Sequence, residues 1–206
     1  MQTQAKPTVY IVDDDPIIRD ALELLLNTVG YSTETYTSGD GLLKAWSADW
    51  SGCVLLDVTM PGISGLKVQQ SLQDKNSSLP IIFVTGHGDV RMAVKAMECG
   101  AFSFLQKPYH EDELLSRISA ALIADQEQLE SQKIEKAIRA RVATLTPREL
   151  EVMGYVVAGV ANKVTAIDMD LSQRTIEVHR ARVMEKMQAS SFAELVRMSM
   201  RISGAN

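Results

Sequence analysis

Short apolar runs alternate with segments of helical periodicity along the first 124 residues of the chain. Runs that are rich in β-branched residues and bounded by turn residues favour strands, which we predict at 8–12, 31–36, 53–57, 81–85 and 102–105. Apolar residues that recur every three or four positions predict helices at 16–29, 38–46, 64–72, 89–98 and 111–124. Such alternation predicts an α/β unit of the flavodoxin-like (βα)5 class, with a parallel sheet in the order 2-1-3-4-5 and helices on both faces.

A helical linker is predicted after this unit. Residues 122–141 contain no glycine or proline and are rich in Glu, Gln, Lys and Ala, which favour helix. We therefore predict a linker at 123–142 that extends the fifth helix and joins a first domain, 1–122, to a second, 143–206. A linker that contributes a dimer contact and one that is only a solvated spacer both remain open.

The second domain shows the pattern of a small helical bundle. Thr146, Pro147 and Glu149 combine a capping box with proline at the first helical position, which predicts a helix at 147–157. Further helices are predicted at 163–169, 172–187 and 192–200, and the tight turn between the first two of these indicates an all-α helix-turn-helix domain. The helix at 172–187 has one apolar face and one charged face. A solvated amphipathic helix would show the same periodicity, so this pattern leaves both interpretations open.

The net charge of −5 is unevenly distributed along the chain. Residues 1–122 carry nine Lys and Arg against fifteen Asp and Glu, whereas residues 142–206 carry eight against seven. This asymmetry suggests different partners for the two domains, although neither is basic enough to indicate nucleic-acid binding by charge alone. No signal-peptide pattern or membrane-length apolar run is present, so we expect no membrane partner. Cys53 and Cys99 form no disulfide or metal pattern, which favours a cytoplasmic location.

Reactive side chains stand where the predicted strands end. Asp57 closes a buried run ahead of a Pro-Gly turn, and by itself it would equally suit a residue that merely starts the turn. The other strand ends carry Asp13 and Asp14, Thr85, and Lys107. In the order 2-1-3-4-5 these ends meet at one edge of the sheet, where α/β sheets bind ligands. Three close carboxylates repel one another, and Mg²⁺, which takes oxygen ligands and keeps several waters, would relieve that repulsion.

The motifs DDD, LLDVTMPGISG, VTGHGD and FLQKP resemble the receiver domain of two-component response regulators, over about residues 8–122. The resemblance implies that Asp57 accepts a phosphoryl group from a cognate sensor histidine kinase, and that Thr85 and Lys107 contact the phosphoryl oxygens. It also implies a Mg²⁺ site formed by Asp13, Asp14, Asp57 and the backbone carbonyl of Thr59.

The same resemblance implies a conformational switch and an output surface. Thr85 would move toward the phosphoryl group and Phe104 would follow it inward, although Phe104 also suits an ordinary core residue. Dimerisation is implied at the face formed by residues 89–99, 102–105 and 111–124, with Arg91, Met92, Val94, Lys95 and Phe102 as candidate contacts. We further predict that Thr59 and His87, two residues beyond Asp57 and Thr85, flank the path of attacking water and modulate autodephosphorylation. For His87, a place in an exposed loop without such a role remains open.

The motifs LTPRELEV, AGVANK and RTIEVHRARVMEKM resemble the LuxR-type DNA-binding domain of FixJ/NarL response regulators, over about residues 143–204. The resemblance places Glu177, Val178 and Ala181 near base edges. It implies DNA-backbone contacts for Asn162, Lys163, Thr175, Arg182 and Lys186, and either role for His179 and Arg180. The sequence departs from the family pattern at Val164, where an acid is usual, and at Asp170, where glycine is usual.

The leading hypothesis is a transcription factor that phosphorylation activates as a homodimer on double-stranded promoter DNA, with RNA polymerase as a further candidate partner. An enzyme with an aspartyl-phosphate intermediate is a second hypothesis, but no substrate pocket or general acid is evident. An adaptor whose second domain binds RNA or protein is a third, and the charged helix at 172–187 argues against it. The runs FLQKP, TGHGDV and RARVMEKMQASS also resemble regulators of tetrathionate or thiosulfate respiration.

Overall fold

A computed structural model describes residues 7–86 and 90–203, without the side chains of residues 90 and 91. The chain forms two compact units, Met1–Leu129 and Glu130–Asn206. No helix in the described part of the chain is both long and apolar enough to cross a membrane.

The first unit contains a five-stranded parallel sheet. Its strands are β1 Thr8–Val12, β2 Ser32–Tyr36, β3 Gly52–Asp57, β4 Ile81–Thr85 and β5 Ser103–Gln106. Its helices are α1 Pro16–Val29, α2 Gly39–Ala45, α3 Gly65–Asp74, α4 Val90–Glu98 and α5 Glu111–Val142, the last of which continues into the second unit. The strand order is 2-1-3-4-5, so the predicted flavodoxin-like fold is confirmed.

Two apolar cores cover the two faces of this sheet, because successive side chains of a strand point to opposite sides. Along β1, Val9 and Ile11 pack with α1 and α5, whereas Tyr10 and Val12 pack with α2, α3 and α4. β3 alternates in the same way and is buried over Gly52–Leu56. The run before Asp57 is continuously apolar because helices cover both faces of this strand.

The second unit is helical. It contains the end of α5 and the helices α6 Pro147–Val157, α7 Asn162–Asp168, α8 Gln173–Met187 and α9 Phe192–Ser203. The predicted capping box is confirmed, since Thr146 accepts from the Glu149 backbone N–H and the Glu149 side chain accepts from the Thr146 backbone N–H. A third core joins α6, α8 and α9 to α5, which contributes the buried side chain of Ile138. The linker is thus helical as predicted, and its last turns pack within the second unit.

Candidate metal centre and nucleic-acid interface

Three carboxylates and an ammonium converge at the carboxyl ends of the strands. Oxygens of Asp13, Asp14 and Asp57 all lie within 4.8 Å of one another. The Nζ of Lys107 is 2.7 Å from Asp13 Oδ2 and 3.0 Å from Asp57 Oδ2. Asp13 is 4% exposed, whereas Asp14 is exposed and Asp57 is partly buried. The structure therefore brings together four of the residues that the sequence predicts for this site.

The turn after β3 fixes Asp57. The Thr59 backbone N–H donates to Asp57 Oδ1 at 2.9 Å, and the Gly65 N–H donates to the Val58 carbonyl at 3.0 Å. A Cβ at Gly65 would lie 2.5 Å from the Asp57 carbonyl oxygen, so only glycine lets α3 begin this close to β3. The other oxygen of Asp57, Oδ2, faces Lys107.

Asp13 is held from three sides. Its Oδ1 accepts from the Asp15 N–H at 2.9 Å, its Oδ2 accepts from Lys107, and its backbone carbonyl accepts from Arg19 Nη1 at 2.8 Å. Asp15 in turn caps α1 by accepting from the Ile17 N–H. No short motif of the sequence predicts this role of Arg19, because its side chain reaches six residues back along the chain.

The charges of the pocket leave room for one divalent cation. Partial burial acts to lower the pKa of Lys107, but hydrogen bonds from Lys107 to Asp13 and Asp57 and the attraction of both carboxylates outweigh it, so the pKa is raised. Lys107 therefore stays charged and offsets one of three negative charges. An all-oxygen donor set with a residual charge of −2 fits Mg²⁺, which prefers carboxylate ligands and retains water.

Thr85 ends β4, the neighbour of the strand that carries Asp57, and Phe104 lies in β5 on the other side of β4. Thr85 is 1% exposed at the end of β4, and its carbonyl accepts from the Lys107 N–H at 2.8 Å. Phe104 is half-buried against the core that faces α2, α3 and α4. His87, predicted to flank the water path, lies outside the described residues. Val94 and Met97 on α4 and Phe102 just before β5 are exposed apolar side chains, whereas Met92 packs against the core.

In the second unit, α8 presents the face expected of a recognition helix. Ser172 caps it by accepting from the Thr175 N–H, and Ile176, Val183 and Met187 face the core. On the outer face of α8, the candidate contacts Glu177, Val178, Ala181 and Arg182 are exposed, and Thr175 and His179 are partly buried. Lys163 is exposed at the start of α7. Most of these side chains are polar, and an exposed, largely polar helix face suits the major groove of DNA.

Three of the predicted DNA contacts, Asn162, Arg180 and Lys186, also make bonds inside the domain. Arg180 Nη1 donates to Asn162 Oδ1 at 2.9 Å and ties α8 to the start of α7. Lys186 Nζ donates to Glu149 Oε2 at 2.6 Å and to the Thr144 carbonyl at 3.1 Å. The hydrogen bonds from Lys186 and from the Thr146 backbone lower the pKa of Glu149 to about 2. Lys186 therefore links α8 to the capping box of α6.

The turn between α7 and α8 keeps its geometry despite the unusual aspartate. Asp170 has φ 51°, in the left-handed region that favours glycine and that Asp visits more readily than most residues. The Leu171 N–H donates to the Ala166 carbonyl at 2.9 Å and closes the end of α7. Val164, the other departure, is 48% exposed and adds an apolar side chain to the outer surface of α7.

Both domains match known families. The model of the response regulator receiver domain matches residues 9–119, and that of the bacterial regulatory proteins of the luxR family matches residues 143–199. The chain therefore belongs to the response regulators that combine a receiver with a LuxR-type DNA-binding domain. It is a transcriptional regulator of a two-component system, and its partners are a sensor kinase and DNA. This family consists of regulators and is not a family of enzymes.

Individual relatives align over nearly the whole chain. The transcriptional regulatory protein FixJ of Bradyrhizobium diazoefficiens is 42% identical over 98% of both chains. The response regulator protein TodT of Pseudomonas putida is 40% identical over 94% of this chain and 86% of its own length. Among solved structures, the response regulator StyR is 36% identical, with a TM-score of 0.85 over 96% of this chain and 100% of its own.

Proposed function

We propose that Asp57 is the phosphoacceptor of this response regulator. An Asp57 carboxylate oxygen attacks the phosphorus of the kinase phosphohistidine, a P–O bond forms as the P–N bond breaks, and an acyl phosphate results. The observation that carries the proposal is the convergence of Asp13, Asp14 and Lys107 on this carboxylate. A turn that Thr59 and Gly65 hold in place keeps Asp57 oriented for in-line attack.

We assign Mg²⁺ to Asp13, Asp14 and Asp57, with the Thr59 backbone carbonyl as a further ligand. The ion would neutralise charge on the transferring phosphoryl oxygens. Lys107, held charged beside Asp57, pairs with the oxygens that the acyl phosphate adds. Thr85 lies buried at the adjacent strand end, where its hydroxyl can turn toward the same oxygens, and Phe104 can follow it.

Phosphorylation, in this proposal, promotes a homodimer through α4 and β5. The exposed side chains of Val94, Met97 and Phe102 support this surface, since apolar groups gain by leaving water. The dimer places two copies of α8 on DNA. Glu177 and Val178 read base edges, while Lys163, Thr175 and Arg182 contact the DNA backbone. RNA polymerase is the partner we expect at the promoter, and the cytoplasm is the compartment.

The acceptor is tested by labelling the full chain with radioactive acetyl phosphate and Mg²⁺. We expect stoichiometric labelling of the wild type, none of Asp57→Ala, and unchanged labelling of Asp20→Ala, which removes an exposed carboxylate on α1. Persistent stoichiometric labelling of Asp57→Ala would show that another residue accepts the phosphoryl group. The resemblance to regulators of tetrathionate or thiosulfate respiration finds no support among the relatives described above.

A further inference from the structure

Asp125 is a buried carboxylate on α5, beyond the region that the receiver family model matches. It is 1% exposed, and its Oδ2 accepts from the Gly52 N–H at 2.8 Å and from Ser51 Oγ at 2.9 Å. Ile118 and Ala121, on the same face of α5, pack into the core shared with α1. Asp125 therefore extends this stripe by one helical turn and replaces an apolar contact with a polar one.

Gly52, at the start of β3, is the residue whose backbone meets Asp125. Gly52 has φ 135°, and a Cβ there would lie 1.8 Å from the Thr8 carbonyl oxygen, so the position requires glycine. The backbone amide of a residue without a side chain is thus presented to the Asp125 carboxylate. Gly52 begins β3, and Asp57 ends it about 17 Å away at the usual rise per residue of a strand.

A packing role alone does not explain this residue. The second carboxylate oxygen of Asp125, Oδ1, is buried and has no hydrogen-bond partner among the described residues. Burial also raises the pKa of the carboxyl group, which the hydrogen bonds from Gly52 and Ser51 only partly offset. An apolar side chain would fill the same place without this cost, whereas a buried polar group fixes one arrangement against its alternatives.

We propose that Asp125 anchors residues 122–129 of the linker helix to the base of β3, so that these residues move with the receiver. The linker can then bend or fray only beyond Leu129, and not directly after residue 119, where the receiver family match ends. This inference does not depend on the identity of the phosphoacceptor, because it concerns the opposite end of β3.

The test is amide hydrogen exchange of the full chain, resolved by peptide mass spectrometry. We expect Asp125→Ala to accelerate exchange of residues 122–129 by about tenfold or more, because local opening no longer breaks the hydrogen bonds from Gly52 and Ser51. Asp125→Asn, which keeps an acceptor oxygen, should accelerate it by about threefold. Glu127→Ala, which removes an exposed carboxylate two residues away, should leave it unchanged, and peptides within 135–142 should not respond to any variant.

Unchanged exchange of residues 122–129 in Asp125→Ala would overturn the proposal. So would an acceleration of equal size in the peptides of β3 and β4, because it would mean loss of global stability rather than release of the linker. If Asp125→Ala does not fold, Ser51→Ala carries the test, since it removes one of the two bonds without altering the helix. The same two criteria then apply to that variant.

Discussion

Replacing Ile138 with alanine tests which of the two units the end of the linker helix stabilises. Ile138 is 4% exposed in the core of the second unit, whereas Ile123 on the same helix is 57% exposed. Removing a buried isoleucine side chain costs about 2–5 kcal/mol, because apolar contacts are lost and a cavity remains. For a unit of this size, each kcal/mol lowers the melting temperature by about 4–8 °C, so Ile138→Ala should lower it by at least about 8 °C.

Two probes can assign this shift to one unit. Both tryptophans of the chain, Trp46 and Trp50, lie in the first unit and pack against its core. Tryptophan emission therefore reports unfolding of the receiver, while far-UV circular dichroism reports the helices of both units. We expect Ile138→Ala to shift the transition seen only by circular dichroism, and we expect the matched control Ile123→Ala to shift neither by more than about 2 °C.

The reasoning would be refuted if Ile138→Ala left the circular-dichroism transition in place, because the linker would then contribute nothing to the second core. An equal shift in tryptophan emission would also refute it, since the cost would then fall on the receiver. The first result would make residues 130–142 a spacer outside both cores, and the second would assign Ile138 to the stability of the receiver.

Three further predictions concern charged side chains. Lys107→Met should tighten Mg²⁺ binding measured by calorimetry, because the acidic cluster loses its counter-charge. The same variant should slow acetyl-phosphate labelling by about a hundredfold. Weaker Mg²⁺ binding would contradict the first expectation. Because the pKa of Glu149 falls from 4.5 to about 2 on folding, its contribution to stability is complete above about pH 5 and is lost as the pH falls toward 2. Glu149→Gln should flatten this acid limb in a circular-dichroism titration, and an unchanged limb would argue against the bond to Lys186. Lys186→Ala should destabilise the second unit and leave the salt dependence of DNA binding nearly unchanged. Arg182→Ala should instead reduce the slope of log binding constant against log salt concentration by about 1. If Lys186 contacts a phosphate, as the sequence predicts, Lys186→Ala should show that same reduction.

The fold and the pocket follow from signals that are local in sequence. The strands β1, β3 and β4 are short apolar runs closed by turns, and residues at or just beyond the ends of these strands and of β5 carry the chemistry, so Asp57 and Lys107 can be placed without knowing any distance. The capping box at Thr146 is equally local, because three residues define it. Once the alternation of strands and helices sets the strand order, the convergence of the strand ends follows.

The side chains that hold these elements together have no such signal. Asp125 meets Gly52 across 73 positions of the chain, and Lys186 meets Glu149 across 37. Nothing around Asp125 distinguishes it from the exposed acids that follow it on the same helix. Their partners are decided by the packing of complete helices against strands or against other helices, and periodicity describes the positions only as apolar or polar.

Lys107 gives the resting receiver a counter-ion of its own. A cluster of three acids would ordinarily make folding depend on a bound cation, and removing that cation would then favour unfolding. Here a covalently attached ammonium, bonded to Asp13 and Asp57, supplies part of that neutralisation permanently. Chelation of divalent ions should therefore leave the melting temperature of the receiver almost unchanged. The magnesium concentration would therefore set how quickly the regulator is phosphorylated, and not whether the receiver stays folded.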